Sequence, residues 1–418
     1  MPITETKSDV VTPEPQQRVR VPRDPQQDYT AEMAAKRREF IREQTGANLS
    51  HVAEYSFDPG LLRGNIENFI GVAQVPVGVA GPLRIVGEHA RGDFYIPLAT
   101  TEGSLVASYN RGMRLLTECG GVKTTVVEDC MQRAPVFILH DALEAREFGR
   151  WLEENFASIK AAAEMTTRHG KLLRINQFQV GPLRYLRFNY STGDAAGQNL
   201  VSKATFFACE WIRNNYPGRP KYFMSGNTET DKKHSHMNIL FSRGKRVVAE
   251  AFIRPEVFEQ VMHFDASKLL WVRQVQMTGA VLAGSANNGA HAANGLAALF
   301  IATGQDAATV AEGHAAITYA QRLEDGTYYW SITLPSLIVG TCGGGTGLAT
   351  QRQALEMLGC YGPGKVLKFA EICAATVLAG ETSLAAAMLH GDWVTAHEML
   401  GRNRPETKEV NNGAASKP

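Results

Sequence analysis

Residues 171–192 read KLLRINQFQVGPLRYLRFNYST and decide the fold of the middle of the chain. Two runs rich in apolar and β-forming residues flank the Gly-Pro pair at 181–182, which predicts two strands joined by a tight turn. Amphipathic patterns at 142–164 and 196–216 predict a long helix on each side of this pair.

Two further strands complete the pattern. VFILH at 136–140 precedes the first helix, and KYFMS at 221–225 follows the second. The resulting order, β-α-β-β-α-β, is that of a split βαβ, or ferredoxin-like, module. We therefore expect an inserted module of this kind at residues 135–223.

The flanking sequence predicts one larger domain, formed by residues 67–134 and 224–418. Its first part reads as strand, turn and strand, followed by a helix from about Glu102. Its second part contains long stretches rich in Ala and Gly, at 278–306 and 366–400, which predict closely packed helices. The expected fold class is thus α/β and multidomain, with the large domain built around a long central helix.

The N-terminal 66 residues differ in composition from the rest of the chain. Residues 1–29 are rich in Pro, Gln, Asp and Arg and are expected to form a disordered leader. Residues 30–66 are expected to be a small helical region. Within it, the charged segment 31–44 (AEMAAKRREFIREQ) predicts a solvated surface helix.

Composition excludes several classes of protein. The 418 residues are 44% hydrophobic and 20% charged, with a formal net charge of +1, so nothing attracts the chain globally to nucleic acid or to an anionic membrane. No segment has the roughly 18 apolar residues of a membrane span, and no signal peptide is recognisable. The six scattered cysteines indicate a reducing compartment. A soluble, cytoplasmic protein is expected.

Two glycine-rich segments imitate nucleotide-binding motifs. GCYGPGK at 359–365 is followed by Val366, where a P-loop needs Ser or Thr for magnesium, and it follows a predicted helix instead of a strand. GGGTGL at 343–348 places Leu348 at the third glycine of the dinucleotide fingerprint. A conventional Rossmann fold is therefore not expected, although a tight glycine loop near a ligand stays open.

Several ionisable residues are ambiguous one by one. His234 and His236 would point to opposite faces of a strand, so they are interpreted as surface histidines and not as metal ligands. Glu102 is either a helix N-terminal group or an acid with a raised pKa. The three consecutive charged residues Asp231–Lys233 are typical of a solvated turn. Asp306 alone is a cap or turn residue, and His397 alone is a surface or core histidine.

Taken together, the contexts of these residues resemble the catalytic region of 3-hydroxy-3-methylglutaryl-coenzyme A (HMG-CoA) reductases, in family order over roughly residues 60–400. The resemblance is closest to the eukaryotic-type class. The matching segments are ENFIG (67–71), PVGVAGPL (76–83), ATTEGSLVAS (99–108), STGDAAGQN (191–199), SGN…TDKK (225–233), GAHAAN (289–294), GQDAA (304–308), GGGTGL (343–348) and LAGETSLAAA (378–387).

The resemblance implies a four-electron reduction of HMG-CoA to mevalonate and free CoA, with NADPH as cosubstrate and no metal. Lys232 matches the cation that faces the negative charge building on the carbonyl oxygen. Glu102 matches the acid that protonates this oxygen. Asp306 matches a buried aspartate that couples the lysine and the glutamate, and His397 matches the proton donor for the CoA thiolate.

The same resemblance implies binding residues. Those expected around the HMG group and the CoA arm are Arg133, Ser225, Asp231, Lys233, Ser108, Asn110, Arg111 and Asn288. Those expected around NADPH are Arg168, Asp194, Gly197, Gln198, Asn199, Arg402 and Arg404. The family also implies a homodimer or homotetramer whose active sites lie at subunit interfaces. The balanced charge and the lack of an apolar span predict no nucleic-acid or membrane partner.

Three departures from the family pattern concern the ligands. Ala196 and Gln198 replace two methionines of the cofactor loop. Val275 stands where the family places a lysine near the substrate, with Arg273 close by. The stretch 285–294 is one residue short, which leaves Asn287 or Asn288 in the asparagine role. Two alternatives therefore stay open: a paralogous reductase acting on a different acyl-CoA, and a non-catalytic CoA- or nucleotide-binding descendant.

Overall fold

The structure, a computed structural model, describes residues 20–167 and 169–390, with side chains through residue 385. The chain divides into two units, residues 1–74 and 75–418. Five parts of the sequence interpretation lie outside the described residues: the leader through residue 19, and positions Arg168, His397, Arg402 and Arg404.

The first unit contains helix α1 (Ala31–Thr45) and a short 3-10 helix (Pro59–Leu62). Thr30 caps α1 by accepting a hydrogen bond from the backbone N–H of Met33. The predicted surface helix α1 is mostly exposed or partly exposed, but Arg37 is completely buried and ion-paired with Asp28. Its guanidinium also donates to the carbonyls of Pro22 and Asp28, which draws residues of the expected leader into ordered structure.

The second unit is built on one ten-stranded sheet. Its strands are β1 (Val77–Gly87), β2 (Arg91–Ala99), β3 (Val122–Arg133), β4 (Val136–Ile138), β5 (Lys171–Val180), β6 (Leu183–Ser191), β7 (Lys221–Phe223), β8 (Gly244–Ile253), β9 (Ile317–Arg322) and β10 (Tyr328–Leu337). The main path runs β7-β4-β6-β3-β8-β10-β9, with β5 paired to β6 and β1 paired to β2 and β3. All pairings are antiparallel except that of β1 with β3. The fold is therefore mixed α/β with a large antiparallel sheet.

Eleven described helices accompany this sheet. They are α2 (Leu105–Glu118), α3 (Ala142–Glu154), α4 (Phe156–Glu164), α5 (Gln198–Asn215), α6 (His236–Phe241), α7 (Pro255–Met262), α8 (Leu269–Leu282), α9 (Ala292–Thr303), α10 (Val310–Gly313), α11 (Ala349–Met357) and α12 (Val366–His390). Short 3-10 helices lie at Ala266–Lys268, Ala307–Thr309 and Gly344–Gly347.

The segment from β4 to β7 follows the predicted element order, with one difference. The expected helix over 142–164 is two helices, because α3 ends where Asn155 turns the chain and donates its side-chain N–H to the carbonyl of Trp151. Across this part of the sheet the strands lie in the order β7-β4-β6-β5. The segment has its own apolar core, which includes Phe137, Phe148 and Phe188.

Helix α12 lies in the larger core and packs against α2, α9 and strands β3, β8 and β10. Small residues permit this close packing: a Cβ added to Gly112 of α2 would lie 1.9 Å from the carbonyl oxygen of Ala379. Tyr109 is enclosed at the same junction and donates to the carbonyl of His291 at 2.7 Å. The backbone around α2 and α9 is thereby fixed relative to α12.

Buried Glu371 of α12 anchors the β1–β2 hairpin. Its carboxylate accepts hydrogen bonds from the backbone N–H groups of Glu88, His89 and Ala90. The side chains of Glu88 and His89 lie near enough for the three residues to resemble a metal-ligand group. The three backbone donors already account for the buried charge of Glu371, so this cluster is explained as a structural anchor.

Two features bear on the environment of the protein. All six cysteines are free, and four of them are buried. Among the described residues, no helix combines the length and the apolar character that crossing a bilayer requires.

Candidate active site

Lys232 lies in a strained turn between β7 and α6. Its φ is 54°, and Thr230 and Asn227 of the same turn also have positive φ, at 54° and 67°. Such values cost free energy in residues other than glycine and persist only where surrounding contacts hold them. Here the backbone N–H of Lys232 donates to Oε1 of Glu312 at 3.2 Å. The surrounding contacts therefore fix the position of this lysine.

The ammonium group of Lys232 is paired with Asp306. Nζ lies 2.9 Å from Oδ2, and the two side chains are 46% and 52% exposed. The other oxygen of Asp306 accepts the N–H of Ala308, so the residue also caps the 3-10 helix that follows it. The hydrogen bond to Asp306 raises the pKa of Lys232, which keeps it cationic. The expectation that Asp306 is buried was wrong, because the residue lies at the exposed start of that short helix.

A buried ion-pair network supports the turn from below. The guanidinium of Arg243 is fully buried, with Nε 3.0 Å from Oε2 of Glu312 and Nη2 2.8 Å from Oδ1 of Asp231. Burial raises the pKa of Glu312 to about 7, against the attraction of Arg243. Glu312 also accepts a hydrogen bond from the backbone N–H of Lys232. The ion pair between Arg243 and Glu312 therefore helps to fix the position of the lysine.

Gln198 connects this network to the expected cofactor loop. Its Nε2 donates to Oδ2 of Asp231 at 2.7 Å, and its Oε1 accepts from Nη2 of Arg243 at 2.9 Å. The residue is the first of α5, directly after Gly197. Two predicted binding residues, Gln198 and Asp231, are thus in direct contact although they were assigned to different ligands.

The structure does not join Glu102 to this group. The residue is exposed, three positions before α2, and its N–H donates to Oγ1 of Thr100 at 3.0 Å. Its carboxylate makes no hydrogen bond or ion pair with the described part of the chain. The helix predicted from about Glu102 is present as α2 and begins at Leu105, after Ser104, whose φ is 64°.

The expected substrate residues fall into two groups. Arg133 and Ser225 lie beside the Lys232 turn and both contact the carboxylate of Glu229. Nζ of Lys233 donates to the carbonyl of Asp231 at 3.1 Å. Glu229 thus joins Arg133 to Ser225, while Lys233 is held by the backbone of the Lys232 turn.

The second group lies along α2 and the loop before α9. Ser108 and Arg111 both hydrogen-bond to Ser383 of α12, at 3.1 Å each. Asn110 accepts the N–H of Gly81. The amide of Asn288 both donates to and accepts from the backbone of Thr318. Each of these side chains therefore has a structural partner.

Asp194 has a role that its sequence context did not indicate. Its carboxylate accepts the N–H groups of Gly364, Lys365 and Val366 at 2.8, 3.0 and 3.2 Å, which caps the start of α12. Burial alone would raise its pKa, but these donors outweigh it and hold the pKa below its ordinary value. The segment that imitates a P-loop therefore already binds an anion, and the anion is this aspartate.

Helix α5 begins without a side-chain cap. Gly197 takes φ 87° there, where an added Cβ would meet the side chain of Thr192 at 2.3 Å. Asn199 lies in the first turn. Because uncapped N–H groups at a helix N-terminus favour negative charge, this end of an 18-residue helix suits a phosphate.

The histidine pair differs from its prediction. Residues 234–236 are not a strand: Ser235 caps α6, accepting the N–H of Asn238. His234 is half-buried, with its ring 5.6 Å from that of His314. Burial lowers the pKa of His234, and the nearby histidines lower it further. His234 is therefore partly enclosed, whereas His236 is exposed, as predicted for a surface histidine.

Arg273 is not free to replace the lysine expected near Val275. Its Cζ lies 4.0 Å from the centroid of the Trp330 ring, and its Nη2 donates to the carbonyl of Glu381 at 3.1 Å. Val275 is 54% exposed on α8. The guanidinium is therefore committed to the core, while the neutral side chain faces outward.

Sequence reasoning missed three residues of this site: Glu229, Arg243 and Glu312. Glu229 stands inside the matched SGN…TDKK segment, so its charge was visible. Arg243 and Glu312 are far apart in sequence and gain their roles only through burial. A fixed lysine with a carboxylate partner, braced by buried charges on a mixed α/β fold, is typical of an enzyme active site.

Comparison with known proteins supplies the family. Residues 33–402 match the family described as hydroxymethylglutaryl-coenzyme A reductase. The chain therefore belongs to that family. The 3-hydroxy-3-methylglutaryl-coenzyme A reductase of Methanocaldococcus jannaschii is 45% identical over 373 residues, which cover 88% of this chain and 92% of that protein. The corresponding protein of Aeropyrum pernix is 47% identical, with 89% and 90% covered.

The fold has a solved counterpart. The class II 3-hydroxy-3-methylglutaryl-CoA reductase of Streptococcus pneumoniae, bound to NADPH in open conformations, superposes with a TM-score of 0.64 at 17% identity. The match covers 85% of this chain and 97% of that one. It extends the likeness in fold over most of the chain.

Proposed function

We propose that this protein reduces HMG-CoA to mevalonate and free CoA, oxidising two NADPH in turn. The observation that carries the proposal is the Lys232–Asp306 pair: Nζ lies 2.9 Å from Oδ2, and the turn that holds the lysine is supported by buried charges. The family relatives named above are HMG-CoA reductases, and the pneumococcal neighbour contains NADPH. NADPH supplies the hydride; the residues of this chain position the thioester and manage charge and protons.

Lys232 is proposed to face the thioester oxygen. Negative charge develops on that oxygen when hydride reaches the carbonyl carbon, and a preplaced cation lowers the energy of this state. Asp306 keeps the lysine protonated, as the raised pKa of Lys232 indicates. Glu102 is proposed to supply the proton to the oxygen, and His397 to protonate the departing thiolate.

The segment 135–223 is proposed to be the module that binds NADPH. Its separate core and its strand order β7-β4-β6-β5 support a compact unit inside the larger domain formed by 67–134 and 224–418. The uncapped start of α5, at Gly197 and Asn199, fits a phosphate group. The negative charge of Asp194 is offset by the three backbone N–H groups at the start of α12 that bind its carboxylate.

A homo-oligomer is part of the proposal. Helix α8 exposes apolar side chains that a monomer would leave in water: Trp271 at 60%, Val281 at 79% and Leu282 at 89%. Exposed apolar side chains concentrated on one helix favour an association surface. Sedimentation equilibrium should therefore give a mass at least twice 45.7 kDa.

The loss of NADPH fluorescence on addition of HMG-CoA tests the proposed activity. HMG-CoA should drive NADPH oxidation, and mevalonate should appear. Oxidation with another acyl-CoA but none with HMG-CoA would replace this proposal with the paralogous reductase. No oxidation with any thioester, by protein shown to be folded, would remove the enzymatic proposal.

A further inference from the structure

Glu229 contacts Arg133 and Ser225, two residues that together can bind a carboxylate. The residue is 2% exposed. Its Oε1 accepts a hydrogen bond from Oγ of Ser225, and Nη1 of Arg133 lies 3.7 Å from the same oxygen. Arg133 is the last residue of β3, and Ser225 follows β7. Two elements of the fold thus bring a guanidinium and a hydroxyl to one carboxylate.

Two buried polar atoms of Glu229 and Arg133 lack hydrogen-bond partners among the described residues. Within the described residues, neither Oε2 of Glu229 nor Nε of Arg133 has a hydrogen-bond partner, although both atoms are buried. A buried charged group that lacks a partner costs free energy, so such groups are retained where they serve a purpose. Arg133 therefore keeps a donor that is not used by Glu229.

Two nearby cations are engaged elsewhere: Arg243 is committed to Asp231 and Glu312, and Lys232 to Asp306. Lys233 donates to the backbone carbonyl of Asp231 and pairs with no carboxylate among the described residues. A carboxylate ligand entering beside Lys233 would need Arg133 and Ser225 as its other partners, and Glu229 already contacts both. A second carboxylate close to the first would be repelled, because like charges in a partly buried site interact strongly.

We propose that Glu229 is a specificity-determining residue, which stands in for the carboxylate of the acyl group and weakens the binding of thioesters that carry one. The inference rests on the proposed function, since the acyl group of HMG-CoA ends in a free carboxylate. To bind there, that carboxylate must displace Glu229 from Ser225. One charge-assisted hydrogen bond is exchanged for another, so the net gain in affinity is small.

The matched thioester is 3-hydroxy-3-methylbutyryl-CoA, which has hydrogen in place of the carboxylate of HMG-CoA. Glu229→Gln removes the charge and keeps an oxygen that accepts from Ser225. The variant should bind HMG-CoA roughly tenfold more tightly, as expected when a hydrogen bond to a charged group is freed. Its KM for HMG-CoA should fall accordingly, with kcat and the KM for NADPH unchanged. Binding of 3-hydroxy-3-methylbutyryl-CoA should not improve.

Glu324→Gln provides the control, because Glu324 is exposed in the turn between β9 and β10. It should leave both affinities unchanged. An equal gain for both thioesters in Glu229→Gln would overturn the inference, because the effect would then not depend on the carboxylate. Weaker binding of HMG-CoA would overturn it as well, and would make Glu229 a direct acceptor from the substrate.

The wild-type protein gives a test that requires no substitution. Calorimetry should show that HMG-CoA binds at most about threefold more tightly than 3-hydroxy-3-methylbutyryl-CoA, whereas a free Arg–Ser pair would favour HMG-CoA by tenfold or more. A wild-type preference of that larger size would contradict the inference. These affinities are measured without turnover, so the inference can fail while the reductase proposal stands, and the reverse.

Discussion

Nζ of Lys232 lies 2.9 Å from Oδ2 of Asp306, which places a cation beside a carboxylate in the middle of the candidate site. The lysine belongs to the turn after β7, and the aspartate to the loop after α9. Each is fixed by its own backbone contacts: Lys232 through Glu312, and Asp306 through Ala308. The pair is therefore positioned before any substrate arrives, as electrostatic catalysis requires.

Lys232→Ala should abolish thioester reduction while leaving NADPH binding nearly intact. The substitution removes the cation proposed to face the carbonyl oxygen, and the loss of one such stabilising group typically slows kcat by about 100- to 1000-fold. Stopped-flow NADPH oxidation and NADPH fluorescence titration measure the two effects. Lys221→Ala, an exposed lysine on β7, is the control. Activity equal to the wild type would remove Lys232 from its role.

Asp306→Asn should lower the pH above which activity is lost. Asp306 raises the pKa of Lys232, so the contribution of the pair is complete below the ordinary lysine pKa and disappears as pH rises through the raised value. Without the negative charge, the lysine deprotonates at a lower pH. The alkaline limb of the kcat profile should therefore move down. A limb that stays in place would assign it to another group.

Asp194→Ala should destabilise the protein by about 1–2 kcal/mol, as loss of a helix cap does. The three backbone donors at the start of α12 would lose their acceptor. Asp194→Asn, which keeps one acceptor oxygen, should lose less. Urea unfolding measures the change. An unaltered free energy of unfolding, together with weakened NADPH binding, would instead support a direct cofactor contact.

His291→Phe should make the protein less sensitive to acid. Burial lowers the pKa of His291 to about 4, against an ordinary value of 6.5. Below pH 6.5 the imidazole is protonated in the unfolded chain but stays largely neutral in the folded protein until about pH 4. The free energy of unfolding therefore falls as pH falls. The histidine should account for a loss of roughly 1.5 kcal/mol between pH 6.5 and 5. An identical pH dependence in the variant would contradict this.

Gly112→Ala should cost about 1–3 kcal/mol, because overpacking displaces neighbouring groups. The new methyl group would lie 1.9 Å from the carbonyl oxygen of Ala379, so α2 and α12 would have to separate. Gly279→Ala on α8 is the matched control, since its added methyl meets nothing within 4 Å. It should stabilise the protein by up to about 1 kcal/mol. Similar melting temperatures for the two variants would contradict the close helix contact.

Local sequence patterns predicted much of the secondary structure. The strands expected around 171–192 are present as β5 and β6, because the turn at 181–182 and the flanking apolar residues act over a few positions. The expected single helix before them is interrupted at Asn155. A helical pattern does not reveal such a break, since the residues on either side keep their apolar faces.

The site was predictable only in part. The family resemblance indicated Lys232 and Asp306, and the structure places them in contact. Nothing local in the sequence indicates that Arg243 is fully buried or that it pairs with Glu312, because both facts depend on the fold that brings the residue before β8 to α10. Asp194 illustrates the same limit: its partners lie about 170 residues away along the chain.

The ratio of NADPH oxidised to CoA thiol released tests the central claim most directly. With HMG-CoA as the only acyl donor, the account predicts two NADPH for each thiol and mevalonate as the product, since a thioester becomes a primary alcohol only by two hydride transfers. A ratio of one with an aldehyde as the product, or thiol release without NADPH oxidation, would contradict it.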